Sequence, residues 1–167
     1  MLSCGRADCL DPGIYDHFAG PLENQRQLDR VFAGLGNHLL DTNIISAHFR
    51  RPGGLSHRFI QHGEGLCVST VVLAELFAWA YLSRKPSLLL EAIQELVAEV
   101  TVLDFDSRCA QRFGKLRADL AATGITVPVA DLMIASVALT HDLTIVTHNV
   151  ADFSHIPDLR VVDWLTA

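Results

Sequence analysis

From His38 onward the chain alternates between short apolar blocks and longer segments with a helical period. His38 to Leu40, Leu66 to Ser69, Thr101 to Leu103 and Leu143 to Val146 have the length of strands in a buried parallel sheet, and Leu159 to Val162 reads as an edge strand. Between them, Asp41 or Thr42 caps a predicted helix that ends before Arg51-Pro52-Gly53-Gly54. An apolar helix follows over Val71 to Leu82. Pro86 opens the next, with Leu89, Ile93, Leu96, Val97 and Val100 on one face and Glu91, Gln94, Glu95 and Glu99 on the other. Asp106 caps a helix that turns Cys109, Phe113, Leu116 and Leu120 inward and stops at Thr123-Gly124. A last apolar helix is predicted from about Pro128 to Thr140.

Strands that alternate with helices predict a three-layer α/β/α sandwich around a central, mostly parallel sheet of four to five strands. Ligands of such sheets bind beyond the carboxyl ends of the strands, where the strand order reverses. Asp41 follows the first strand and Asp152 comes a few residues after the fourth, so the two converge if those strands are neighbours. Residues 1–37 lack a sustained period apart from one short predicted helix, Gln25 to Leu35, and read as a mostly irregular extension to a domain spanning 38–167.

The composition narrows the class. Half of the 167 residues are apolar and 19% are charged, which excludes a disordered chain. The longest apolar runs are too short to cross a bilayer, and the start of the chain has the pattern of no export signal, so a cytoplasmic protein without membrane contact is expected. The cysteines are scattered: Cys67 and Cys109 fall on faces expected to be buried, and Cys4 and Cys9 have no second pair at ligand spacing. A net charge of -6 argues against nucleic acid at first sight. Residues 38–167 hold ten basic and fourteen acidic residues, and two bound divalent ions would neutralise that part.

Four of those acids stand alone in apolar surroundings: Asp41 after Leu39-Leu40, Glu75 within Val71 to Leu82, Asp131 ahead of Leu132 to Leu139, and Asp152 beside Phe153. Burying an ionised carboxylate without a partner costs several kcal/mol or forces protonation. Each has a plain structural reading too. Asp41 and Asp131 sit where helices begin, Asp152 lies among turn residues, and Glu75 could face solvent, although Ala78, Trp79 and Leu82 give it no polar company. Together they describe an all-oxygen site for Mg²⁺ or Mn²⁺, since the eight histidines do not cluster as zinc ligands would. His148 lies near the proposed site.

These residues resemble a known family. Leu39-Leu40-Asp41-Thr42-Asn43 is similar to the opening motif of the PIN-domain ribonucleases, Leu73-Ala74-Glu75-Leu76 resembles the second acid's motif, and Asp131-Leu132-Met133-Ile134-Ala135 the third. Thr147-His148-Asn149-Val150-Ala151-Asp152-Phe153 resembles the closing motif, and the tail Leu159 to Trp164 resembles VapC-type toxins of toxin-antitoxin pairs. The resemblance covers about His38 to Trp164, and the 37 residues before it depart from the family's pattern. It implies a PIN-like fold and a Mg²⁺-dependent endoribonuclease acting on structured RNA such as tRNA or ribosomal RNA. A homodimer and a cognate antitoxin, whose DNA-binding half lets the complex repress its operon, are implied as partners. Asp41, Asp131 and Asp152 are the expected catalytic metal ligands, with Glu75 as a ligand or water-orienting base and Thr147 and Asn149 supporting them from behind. In-line attack by water predicts 5′-phosphate and 3′-hydroxyl ends.

Arg108, Arg112 and Lys115, at i, i+4 and i+7, and the pair Arg50-Arg51 are candidates for holding RNA, unless they merely solvate helix faces. Rival readings fit less well. A haloacid-dehalogenase-type hydrolase needs an aspartate where Asn43 stands, and a receiver domain needs a late lysine, whereas the only lysines are Lys85 and Lys115. A metal-dependent nuclease acting on DNA shares the acid pattern, and an inactive PIN-like binding module would have lost an acid.

Overall fold

The computed structural model describes residues 38–166, so the extension and its predicted Gln25 to Leu35 helix lie outside the described residues. Within them the chain runs β1 (His38–Leu40), α1 (Thr42–Arg50), α2 (Pro52–His62), a 3-10 turn (Gly63–Gly65), β2 (Leu66–Ser69), α3 (Thr70–Leu82), α4 (Pro86–Glu99) and β3 (Thr101–Leu103). It continues through α5 (Ser107–Ala122), α6 (Val129–Thr140), β4 (Thr144–Val146), α7 (Val150–Phe153) and β5 (Arg160–Val162). The five strands form one sheet in the order β3-β2-β1-β4-β5. Every pairing is parallel, with Leu39 opposite Cys67 on one side and Ile145 on the other.

Leu39, Leu40, Cys67, Val68, Ile145 and Val146 are all fully buried, as strands covered by helices on both faces require. They join Ile44 and Ile45 of α1, Val72 and Leu76 of α3, Ile134 and Val137 of α6 and Phe153 of α7 in one core. Each such aliphatic side chain contributes about 1.5–3 kcal/mol through burial. The Cys67 and Cys109 thiols are free and buried, and loss of solvent pushes them up to about 12 and about 11. Among the described residues no helix is long and apolar enough to cross a membrane.

Several elements begin and end where local chemistry dictates. Asp106 accepts a hydrogen bond from the Cys109 N–H at 2.9 Å and starts α5. Gly124, at φ 74°, ends that helix in the left-handed region while Ile125 N–H returns to Leu120 O at 3.0 Å.

Three features differ from the sequence reading. Residues 52–62 form a helix, because Pro52 and the two glycines fall in its first turn, where backbone N–H groups need no helical partner; Leu55 then packs it into the core. On α4, Ile93 and Leu96 are buried but Val97 is exposed, one helical step off the packed stripe. And α3 is apolar without being a core helix: it buries Val72, Leu76 and Ala80 and leaves Phe77, Tyr81 and Leu82 exposed. Glu75 therefore does not sit in a closed core; it is half-buried at a crevice wall.

Candidate active site

From β1 the chain builds the sheet outward through β2 and β3, then returns to the other side of β1 with β4 and β5. The strand order reverses between β1 and β4, and the carboxyl ends of these two strands open a crevice. Asp41 stands at its floor. Its backbone N–H donates to Val146 O at 3.0 Å, extending the β1–β4 ladder by one residue, and its carboxylate caps α1 by accepting from Thr42 N–H at 2.7 Å. The helix-cap reading of Asp41 is correct as far as it goes, but it accounts for one carboxylate oxygen only.

The other oxygen, Oδ2, accepts from Thr147 Oγ1 at 2.6 Å and from Asn43 Nδ2 at 2.7 Å. Asn43 Nδ2 also reaches Thr147 Oγ1 at 2.9 Å, and Asn43 Oδ1 accepts from the His148 N–H at 3.0 Å. Asn43 thus ties the first strand-end loop to the fourth. Sequence reasoning gave it no part in the site, although a lone amide two residues after the first acid, at the head of an apolar helix, is a usable signal.

The remaining acids come from three separate helices. Glu75, in the second turn of α3, accepts a short hydrogen bond at Oε2 from the Thr42 hydroxyl. Asp131 lies in the first turn of α6, and Asp152, in α7, accepts a short hydrogen bond from Asn149 Nδ2. Asn149 N–H donates to Thr147 Oγ1 at 2.9 Å, so Thr147 links Asp41 to the loop that carries Asp152.

Mutual electrostatics record the convergence. Burial, then the charges of Asp41, Asp152 and Glu75, and a hydrogen bond shared with Asp152 push the Asp131 carboxyl up to about 6. Asp41 is also raised, by burial and by the Glu75 charge, against the lowering effect of its Thr147, Thr42 and Asn43 donors. No cation among the described residues compensates. The ion pairs among the described residues, His148 with Asp163 at 3.0 Å and Arg160 with Asp142 at 2.8 Å, leave all four acids unpaired.

His148 sends its ring away from the crevice floor, toward Asp163 after β5. Burial acts to raise Asp163, but hydrogen bonds from Leu165, His148 and Thr166 outweigh it and hold the carboxyl below its ordinary range. The candidate RNA-holding cations lie elsewhere: Arg108, Arg112 and Lys115 are exposed on α5, Arg51 is exposed, and the Arg50 guanidinium sits 5.4 Å from the Trp79 ring centre.

Among the described residues no three Asp, Glu, His or Cys side chains stand close enough together to hold a metal ion by themselves. A structural zinc site would require such a cluster. Hydrated Mg²⁺ does not, because it keeps several waters and takes one or two carboxylates. A crevice with four acids, several hydroxyl and amide groups and no neutralising cation among the described residues fits that ion, or Mn²⁺, by its donor chemistry.

The sequence profile of the PIN domain matches residues 38–159. The tRNA(fMet)-specific endonuclease VapC of Shigella flexneri is 38% identical over 127 residues, covering 75% of this chain and 96% of that one. Ribonuclease VapC2 of Haemophilus influenzae is 32% identical over 129 residues, covering 77% and 98%. In structure, DNA-bound VapBC from Salmonella typhimurium superposes with a TM-score of 0.74 at 33% identity, over 77% of this chain and 98% of that chain. VapBC2 from Rickettsia felis, bound to a fragment of promoter DNA, gives 0.72 at 28% identity over 76% and 98%. A PIN match across most of the described residues, relatives above 30% identity covered almost end to end, and a common all-parallel sheet agree: the chain belongs to the PIN-domain family, in its VapC branch.

Proposed function

We propose that this protein is a Mg²⁺-dependent endoribonuclease, the toxin of a toxin-antitoxin pair, that hydrolyses a phosphodiester bond of structured RNA. The observation that supports the reading is that the charges of Asp41, Asp152 and Glu75 all act on Asp131 near the β1–β4 switch point, while none of the four acids is ion-paired among the described residues. Bound there, Mg²⁺ would supply Lewis acidity toward a phosphate oxygen and toward water. Asp41, Asp131 and Asp152 are the residues that would hold it, directly or through its coordinated waters, with Glu75 as a further ligand or as the group that orients the attacking water.

The chain's own residues have separable tasks. Thr147 and Asn43 fix the Asp41 carboxylate from the rear, so its free lone pairs face the crevice in one orientation. Asn149 does the same for Asp152, and Thr42 for Glu75. Water attacks phosphorus in line, the bond to the 3′ oxygen breaks, and that oxygen takes a proton. The products are a 5′-phosphate and a 3′-hydroxyl end.

Initiator tRNA is the first substrate to test, because relatives at 38% and 35% identity are named for cutting it. A cognate antitoxin is the proposed partner, since the similar structures are VapBC complexes, and a homodimer is the proposed state of the free toxin. The inactive-module alternative loses ground because the sequence keeps all four acids and three of them accept a side-chain hydrogen bond. Sequencing of 5′-monophosphate RNA ends after induced expression in cells tests the reading. New ends at one site of a tRNA or ribosomal RNA are expected. Growth arrest without new RNA ends, or with new DNA ends, would sink it.

A further inference from the structure

We propose that the open groove along the exposed side of α5 from Arg108 to Asp119, bordered by Thr140 at the end of α6, seats the sugar-phosphate backbone of the RNA, away from the bond that is cut. This rests on the ribonuclease reading above and adds a binding surface to it. The two helices pack as an antiparallel hairpin, with Cys109 near the start of α5 beside Thr140 at the end of α6, and the connecting turn lies just before Asp131. The turn end therefore carries a catalytic acid, and the open end carries the groove, about 13 Å along α6 at 1.5 Å per residue.

The groove is an open depression of about 710 Å³ lined by Arg108, Arg112 and Lys115, with Gln111 and Thr140 adding polar groups. Arg108, Arg112 and Lys115 share one helix face and span about 10 Å, the rise of about three nucleotides of a stacked strand. All three are exposed, and none forms an ion pair with a described residue. One carboxylate, Asp119, shares the groove, so its balance stays positive.

Two further observations separate this groove from a merely solvated helix face. Beside the cationic stripe lie Ala110, Gly114 and Ala118, four residues apart and exposed, and a Cβ on Gly114 would meet nothing within 4 Å. The short side chains at these three positions leave that flank of the cationic stripe low and open. The charge is also concentrated against the trend of the chain. Helix α5 carries four basic residues and one acid, whereas residues 38–167 carry ten and fourteen. A protein whose surface is otherwise acidic needs one such face to bring a polyanion to a crevice of four carboxylates.

The test compares binding and cleavage in two triple variants. One is Arg108→Gln, Arg112→Gln, Lys115→Gln; the other removes the same charge elsewhere, through Arg58→Gln, Arg84→Gln, Lys85→Gln. Binding of tRNA is measured in an Asp41→Asn background across a salt series. The groove variant should bind about tenfold more weakly and lower the slope of log K against log salt by about two to three, the signature of that many lost phosphate contacts. The control should keep its slope within about one unit. In proteins with Asp41 intact, the groove variant should show a raised KM for tRNA and unchanged kcat. Equal losses in both variants, an unchanged salt slope, or a defect confined to antitoxin binding would overturn the groove. No RNA cleavage by the wild type would remove the ribonuclease reading and the groove with it, whereas normal wild-type cleavage beside unchanged variant binding removes the groove alone.

Discussion

Thr147 donates its hydroxyl to Asp41 Oδ2 at 2.6 Å, across 106 residues of chain, and is itself fully buried. The bond joins the ends of β1 and β4 at the point where the strand order reverses. It also occupies the lone pair on the side of the carboxylate that faces the protein, which leaves the others for the crevice. Removing the hydroxyl should misorient the acid and leave a buried oxygen short of a donor. Thr147→Val is expected to lower RNA cleavage about 10- to 100-fold and to destabilise the fold by about 1–3 kcal/mol. Thr147→Ser should retain most of both. Cleavage rates and urea melts of the pair check this, and equal activity in the valine and serine variants would contradict it.

Asn43 makes a related but distinct connection, since its amide touches Asp41, Thr147 and the His148 N–H together. Asn43→Ala should lower cleavage without abolishing it, because Thr147 still holds Asp41. Combined with Thr147→Val it should cost less than the two losses added, as expected for residues in one network. Additive losses in that double-mutant cycle would show that the two act separately.

The pH dependence of stability follows from the raised acids. A carboxyl whose folded pKa lies above its unfolded value binds protons more readily in the folded state, so the folded protein is penalised at pH above that pKa and relieved as pH falls through it. Asp131, pushed up to about 6, starts that relief as pH falls below about 7 and completes it only near pH 4, where the unfolded carboxyl also takes its proton, and Asp41 shifts in the same direction. After discounting for partial exposure, Asp131 accounts for about 1–2 kcal/mol. In EDTA the melting temperature should therefore rise from pH 8 to pH 5.5. Added Mg²⁺ should raise it more at pH 8 than at pH 5.5, because metal and proton compete for the same oxygens. A Mg²⁺ effect that is equal at both values would contradict the shared site.

How much of this was legible beforehand differs from residue to residue. The segment Leu39-Leu40-Asp41 announces itself, because a block of apolar residues ending in an acid that can cap a helix has few other interpretations. Asp106 and Gly124 mark the ends of α5 for the same local reason. The helix at Pro52–His62 was hidden because Gly53 and Gly54 oppose helix everywhere except in a first turn. The outer face of α3 was hidden for another cause: when nearly every residue is apolar, the helical period carries no information about which side is covered. The four acids could be named but not assembled, since strand adjacency is a long-range property and only the β1–β4 pairing brings Asp41 toward Asp152.

The buried thiols give a check on the core that is independent of the site. With Cys67 and Cys109 pushed up to about 12 and about 11, almost no thiolate is present at pH 8. Iodoacetamide should leave both unmodified in the folded protein and label both in urea, as read by peptide mass spectrometry. Rapid labelling of either under native conditions would mean that β2 or α5 is not packed as described.

The most direct measurement is cleavage of initiator tRNA by the purified protein in Mg²⁺, in EDTA, and in Mg²⁺ with Asp41→Asn, whose asparagine can still cap α1. Cutting in Mg²⁺ that disappears in both other cases, with circular dichroism unchanged, is the predicted result. Undiminished cutting by Asp41→Asn, or in EDTA, would contradict a crevice in which carboxylates hold the ion that hydrolysis needs.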